Sequence, residues 1–259
     1  MSAGTMGSFY GVGVGPGDPE LITRKAARIL FEVDWIFFPS DSKSGGSFVR
    51  RIVEPLGLPA EKFCGVLLEM SRNRLSERQG YRFVADQIAR EVRKGKSVAW
   101  ITEGDPLFYS TFLFLYEEMR RRFPAIRTEI IPGVTSASAA AARAGVPVCR
   151  LDERIAVVPA AYGLENLPSL FNGFTTVFLL KIHTVFDQLL SHLASMPECI
   201  QAVYVEKAGT PEERVVWDLE TLRGQKLSYF SLVVLRKEKG AATVAENEEE
   251  WWTGKGTFL

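Results

Sequence analysis

The chain is poor in the side chains that most enzymes use for nucleophilic, acid–base and metal chemistry. Its 259 residues include two histidines and three cysteines. Neither His183 nor His192 lies near a serine or cysteine in a nucleophile-elbow context, so a Ser-His-Asp hydrolase has little support. Cys64, Cys149 and Cys199 are far apart and odd in number, which argues against a disulfide framework and a clustered zinc site and leaves buried apolar thiols as the expectation. No His, Cys and carboxylate spacing suggests a catalytic metal. A charge excess is also missing: Lys plus Arg and Asp plus Glu both number 31. No bulk field therefore recruits nucleic acid or an anionic membrane. No apolar run reaches spanning length and no signal peptide is evident, so a cytosolic protein with no membrane partner is expected.

What is present suits a large core. Hydrophobic residues make up 46% of the chain, and its length fits one large or two modest domains. From 9 to about 127 the pattern alternates strand and helix: a strand over 9–14, a helix over about 19–31, a strand over 35–38, and a polar loop over 40–47. A helix carrying Phe48, Ile52 and Val53 follows. An amphipathic helix over 76–93 turns Phe83, Val84, Ile88 and Val92 inward, and a buried strand covers 98–101. Pro124 and Glu129-Ile130-Ile131-Pro132 mark a crossing into a second half. There an alanine-rich helix spans 136–143, strands cover 155–159, 175–180, 202–206 and 227–235, and a helix covers 184–194. The expected fold class is α/β, with two αβα domains and mixed, mainly parallel sheets. The expected domains are 1–127 and 128–240, with a tail at 241–259 in which 246–250 is acidic and Trp251-Trp252 follows.

Three segments stand out. Ile101-Thr102-Glu103-Gly104-Asp105-Pro106-Leu107-Phe108-Tyr109-Ser110-Thr111 reads as a strand end, an acidic turn and a helix start, with Asp105 as cap and Pro106 at the first helical position. Phe108, Phe112, Leu115, Tyr116 and Met119 then share one helix face. Strand ends of this kind are where α/β sheets bind ligands. The second segment, Gly11-Val12-Gly13-Val14-Gly15-Pro16-Gly17-Asp18, is rich in glycine but fails the dinucleotide template, because Pro16 or Asp18 occupies the last glycine position. It fails the phosphate-loop template too, for lack of Gly-Lys-Ser/Thr. It still allows another molecule to approach the backbone closely.

These two segments, followed by Pro132-Gly133-Val134-Thr135-Ser136-Ala137-Ser138, resemble the three ordered motifs of the tetrapyrrole methylases, from about Phe9 to Lys237. The ending Phe108-Tyr109-Ser110-Thr111, with Phe38-Pro39 closing the second strand, is most similar to the branch that methylates C-20 of precorrin-2 or cobalt-factor II in cobalamin synthesis. The resemblance implies S-adenosylmethionine as cofactor, held in a cleft between the domains largely by main-chain groups. Carried over by position, Gly104, Asp105, Leu107 and Phe108 border its methionine and ribose end, and Thr135, Ser136 and Ala137 hold the amino acid part. Leu180 and Lys181 match a later contact point, as do Lys207 and Ala208, while Ser231, Leu232 and Val233 flank the adenine. The loop of Gly13, Gly15, Pro16, Gly17 and Asp18, together with Tyr109, faces the tetrapyrrole. A homodimer is implied as well.

Methyl transfer from a sulfonium suits a chain so short of catalytic side chains. The donor is already activated, and orientation alone can be worth roughly 7–11 kcal/mol. A strongly anionic site would favour the charged ground state and slow the step. The acceptor carries carboxylates, for which Arg50, Arg51, Arg72, Arg74, Arg150 and Arg154 are candidate partners. Asp18, Tyr109, Lys181 and His183 are all candidates for a base at C-20, and the residues do not choose among them. Two other readings stay open: the same fold acting on another precorrin position or a non-tetrapyrrole acceptor, and a regulator that binds an adenosyl metabolite without turnover.

Overall fold

The structure, a computed structural model, describes residues 6–40, 47–68, 74–196 and 200–237. Most of the polar loop at 40–47, Arg72, the side chain of Arg74, Cys199 and the acidic and tryptophan tail lie outside the described residues. Two compact units are formed, one from Met1–Ala139 with Ala208–Pro211, the other from Ala140–Lys207 with Glu212–Leu259.

The first unit runs β1 (Phe9–Gly13), α1 (Arg24–Glu32), β2 (Trp35–Ser40), α2 (Phe48–Val53), β3 (Phe63–Leu67), α3 (Arg74–Arg93), β4 (Val98–Thr102), α4 (Phe112–Arg122), β5 (Thr128–Ile131) and the start of α5 (Ser136–Ala144). Its strands form one sheet in the order β3-β2-β4-β1-β5, with every pair parallel. Val98 and Trp100 point to one side of β4, Ala99 and Ile101 to the other, and all four are fully buried. Burial on both faces is the mark of a parallel sheet covered by helices. On one side Trp100 and Phe9 pack with Val84, Ile88 and Val92 of α3 and Phe112, Leu115 and Met119 of α4.

The second unit runs β6 (Ile155–Pro159), α6 (Leu167–Leu170), β7 (Thr176–Leu180), α7 (Phe186–Leu193), β8 (Ile200–Glu206), β9 (Arg214–Val216) and β10 (Ser231–Lys237). The sheet order is β6-β7-β10-β8-β9. Only β6 and β7 pair in parallel; β10 runs antiparallel to β7 and β8, and β9 antiparallel to β8. Parallel pairing is thus concentrated in the first sheet. Leu179, Tyr204, Val233 and Leu235 build its core with Leu189 and Leu190 of α7.

Several expectations need correction. A boundary at 127/128 would cut through the first sheet, because β5 pairs with β1. The helix expected over 19–31 is broken into a 3-10 turn, Pro19–Leu21, and α1, since Asp18 caps the first and Thr23 the second through its bond to the Ala26 N–H. Phe83 is 60% exposed: it lies about 100° around the helix from Val84, and one apolar stripe cannot hold both. Cys64 is partly buried and Cys149 exposed, so neither is a core thiol. Strands β3, β5 and β9 were not anticipated. No helix among the described residues is long and apolar enough to cross a membrane.

Candidate active site

Sheet topology gathers the three motifs of the first unit. β4, β1 and β5 are neighbours, all parallel, so the loops after them leave the same edge. Gly104 and Gly15 pair there as a two-way bridge, with N–H to O distances of 2.8 and 3.3 Å. Gly104 holds φ +65°, a left-handed conformation that glycine adopts without strain. Gly133 packs so tightly into this junction that a Cβ on it would lie 2.1 Å from the Gly104 carbonyl oxygen and 3.0 Å from the carbonyl carbon of Gly13.

Asp105 locks the junction. Its Oδ2 accepts from the Gly133 N–H at 3.0 Å and its Oδ1 from the Leu107 N–H at 2.8 Å. It does not cap α4, which begins only at Phe112. The reason is local: 104–110 forms turns, and Ser110 Oγ takes the Phe112 N–H at 3.1 Å while meeting Thr102 Oγ1 at 2.9 Å. Phe108 therefore precedes the helix instead of sharing its apolar face. Leu107 and Tyr109 are 52% and 46% exposed, and Tyr109 is held at φ +54°, a strained setting for a non-glycine residue. Glu103 is partly buried, and desolvation raises its carboxyl pKa, only partly offset by its own backbone N–H.

Thr135 turns out to be the cap of α5: its hydroxyl accepts from the Ser138 N–H at 3.2 Å and meets Ser138 Oγ at 3.0 Å. Ser136 and Ala137 form the first turn of that helix. In the same unit, Ala208 packs on the glycine loop, its carbonyl oxygen 2.6 Å from where a Gly17 Cβ would sit. Asp18 is half-engaged, accepting from the Glu20 N–H at 2.9 Å. Gly13, Gly15, Gly17, Gly104, Asp105, Gly133 and Ala208 are thus brought together.

The second unit gathers its own set at one edge of its sheet. Leu180 ends β7 and pairs with Leu232; Glu206 ends β8 and pairs with Ser231. Lys181 and Lys207, the next residues after those strand ends, are held at φ +56° and +47°. Left-handed backbone at a lysine costs on the order of 1–2 kcal/mol, and such outliers collect at functional sites. The Lys207 N–H donates to the Phe230 carbonyl at 2.7 Å, and Lys207 Nζ reaches Glu212 at 3.3 Å. The Ser231 hydroxyl donates to the Ser228 carbonyl at 2.6 Å. Val233 is fully buried and paired on both sides, with Leu179 and Tyr204.

His183 sits in the 3-10 turn after Lys181, edge-on to Tyr229 with ring centroids 5.3 Å apart. Burial lowers its pKa, and its Nδ1 has no hydrogen-bond partner among the described residues. His192 lies in the last turn of α7. Of the arginine candidates, Arg50 stacks on Phe63 at 3.5 Å from the ring centroid, and Arg51 faces Phe48 at 5.5 Å. Arg150 and Arg154 are exposed. Among the described residues no group of three or more His, Cys, Asp or Glu could hold a metal ion.

Sequence reasoning missed the bond from Asp105 to Gly133 and the left-handed residues. It also missed the buried acid Glu206, whose one signal was a carboxylate closing an apolar strand.

The two sheets and their strand-end loops define an α/β protein of two units, in the first of which glycine-rich turns meet main chain to main chain. A model of the family described as Tetrapyrrole (Corrin/Porphyrin) Methylases matches residues 8–223; the chain belongs to that family. It is 33% identical over 237 residues to the cobalamin biosynthesis protein CobIJ of Mycobacterium bovis, covering 88% of this chain and 46% of the relative. The chain therefore spans about half the length of that protein. It is 32% identical over 236 residues to a cobalt-precorrin-2 C(20)-methyltransferase of Salmonella typhimurium, covering 90% of this chain and 97% of the relative. A solved cobalt precorrin-4 methyltransferase, 25% identical, superposes with a TM-score of 0.68 over 88% of this chain and 94% of its own.

Proposed function

We propose that this chain is an S-adenosylmethionine-dependent methyltransferase that methylates C-20 of precorrin-2 or of its cobalt complex in cobalamin synthesis. The observation that carries this reading is the junction of the three motifs at the ends of β4, β1 and β5, locked by Asp105 on Gly133. The near full-length likeness to a cobalt-precorrin-2 C(20)-methyltransferase supports this branch.

The residues suit such a cofactor. When bound, S-adenosylmethionine supplies a methyl group already activated on a sulfonium, so the protein's task is alignment. Gly104, Asp105, Leu107 and Phe108, with Thr135, Ser136 and Ala137, hold the methionine end through backbone N–H and carbonyl groups. Leu180, Lys181, Lys207, Ala208, Ser231 and Leu232 serve the adenosyl end, supported from within by Val233. Gly13, Gly15, Pro16, Gly17, Asp18 and exposed Tyr109 face the tetrapyrrole. Both carboxylate oxygens of Asp105 are engaged by backbone N–H donors, which commits the side chain to the junction rather than to a sulfonium whose ground state it would stabilise. A homodimer in the cytosol completes the reading.

The test is incubation with methyl-labelled S-adenosylmethionine and, separately, precorrin-2 and cobalt-precorrin-2, with NMR locating the label. Label at C-20 from one acceptor is expected and identifies which. Label at another carbon, or none while S-adenosylhomocysteine binds, rejects the branch.

A further inference from the structure

A buried polar network lies beneath the strand edge of the second unit. Glu206 is 7% exposed and Tyr204 fully buried. The Tyr204 hydroxyl donates to Glu206 Oε2, and the same oxygen accepts from the Ser228 N–H at 3.3 Å. Ser228 then organises the turn that follows: its Oγ accepts from the Phe230 N–H at 3.1 Å and its carbonyl from the Ser231 hydroxyl at 2.6 Å. The Phe230 carbonyl in turn takes the N–H of Lys207 at 2.7 Å. The Tyr204 pKa is raised by burial and by the Glu206 bond. A buried carboxyl group costs free energy unless its oxygens are satisfied, yet an apolar pair in these positions would fill the core equally well.

Everything this network holds leads to one place. It fixes the turn 228–231 that opens β10, the left-handed Lys207, and Tyr229, which packs on His183 just after the left-handed Lys181. We propose that Glu206, assisted by Tyr204, is a cofactor-positioning residue: it holds the turn 228–231 so that the backbone at Ser231 and Leu232 meets the adenosyl group. This rests on the function proposed above. Neither residue touches the reacting atoms; both act through the turn.

The opposite end of β10 supplies the control. There Arg236 pairs with Glu153 at 2.7 Å, with side-chain exposures of 11% and 3%, and donates to Thr176 Oγ1 at 2.7 Å. Arg236→Gln breaks a buried pair in the same sheet without touching the turn. Titration calorimetry with S-adenosylhomocysteine on the full chain compares the two. Glu206→Gln, whose neutral amide oxygen is a weaker acceptor than a carboxylate for the Tyr204 hydroxyl and the Ser228 N–H, is expected to weaken binding about tenfold. Tyr204→Phe, which leaves the carboxyl in place, is expected to weaken it about threefold and serves if Glu206→Gln does not fold. Arg236→Gln should lower the unfolding midpoint yet leave affinity within twofold. Equal losses in Glu206→Gln and Arg236→Gln, or unchanged affinity in Glu206→Gln and Tyr204→Phe, would overturn the inference. Failure of the unaltered chain to bind S-adenosylhomocysteine would instead overturn the proposed function beneath it.

Discussion

The strand edge of the first unit and that of the second are assembled by different means. In the first, three loops meet backbone to backbone, glycines make the approach possible, and one carboxylate closes the junction. In the second, the strand ends turn through left-handed lysines, and a buried tyrosine–glutamate–serine network holds the neighbouring turn. Glycine lets main chains approach where no side chain fits, but it holds nothing by itself. A side-chain network holds a turn firmly, but it needs a core in which to bury its polar atoms. The first design places many N–H and carbonyl groups in a small space. The second keeps two non-glycine residues in a strained conformation.

The comparison is broken most forcefully at Gly133. Gly133→Ala drives a methyl into the Gly104 carbonyl with backbone on both sides, so nothing flexible can yield. Overpacking costs about 1–3 kcal/mol, and binding of S-adenosylhomocysteine should fall roughly ten- to a hundredfold by calorimetry. Affinity within twofold of the unaltered chain would show that the junction is not part of the site. Asp105→Ala comes next. It leaves two N–H groups without their charged acceptor, worth about 1.5–3 kcal/mol, and should weaken the same binding about tenfold, with Asp105→Asn intermediate.

Lys181→Gly and Lys207→Gly probe the other edge. Each relieves left-handed strain, offset by the greater freedom of an unfolded glycine, so each should raise stability to denaturant by up to about 1 kcal/mol. A clear loss would mean that the lysine side chains, not the turn, hold the edge.

Glu103→Gln has the smallest effect and a pH signature. The folded-state pKa is raised, so the unfolded chain ionises first as pH rises and Glu103 costs stability above its unfolded pKa. Glu103→Gln should therefore be more stable than the unaltered chain at pH 7. That advantage should shrink toward zero as pH falls below about 4, the ordinary glutamate range. Thermal unfolding across that window reads it, and a constant difference at all pH values would contradict the assignment.

How much of this was legible in the residues follows from the same contrast. Glycines that must pack against backbone cannot be replaced, so the first edge advertised itself in Gly11-Val12-Gly13-Val14-Gly15 and Glu103-Gly104-Asp105-Pro106. The α/β class was legible from the alternation of apolar runs with amphipathic stretches. The cap assignment for Asp105 failed because Asp-Pro opens both helices and non-helical turns, and only the partner Gly133, 28 positions away, decides between them. Strand β5 was hidden because four residues next to a proline give too short a pattern to separate a strand from a linker. The Tyr204 and Glu206 network was unreadable in principle: alternate residues of a strand share a face, but nothing local says that an acid on that face will be buried.

Hydrogen–deuterium exchange with and without S-adenosylhomocysteine puts both edges to trial at once. If the two designs serve one adenosyl ligand, exchange slows at 102–108 and 132–138 in the first unit and also at 180–184, 206–207 and 228–232 in the second. Slowing confined to the first group, with the second unchanged at saturating ligand, would contradict that reading.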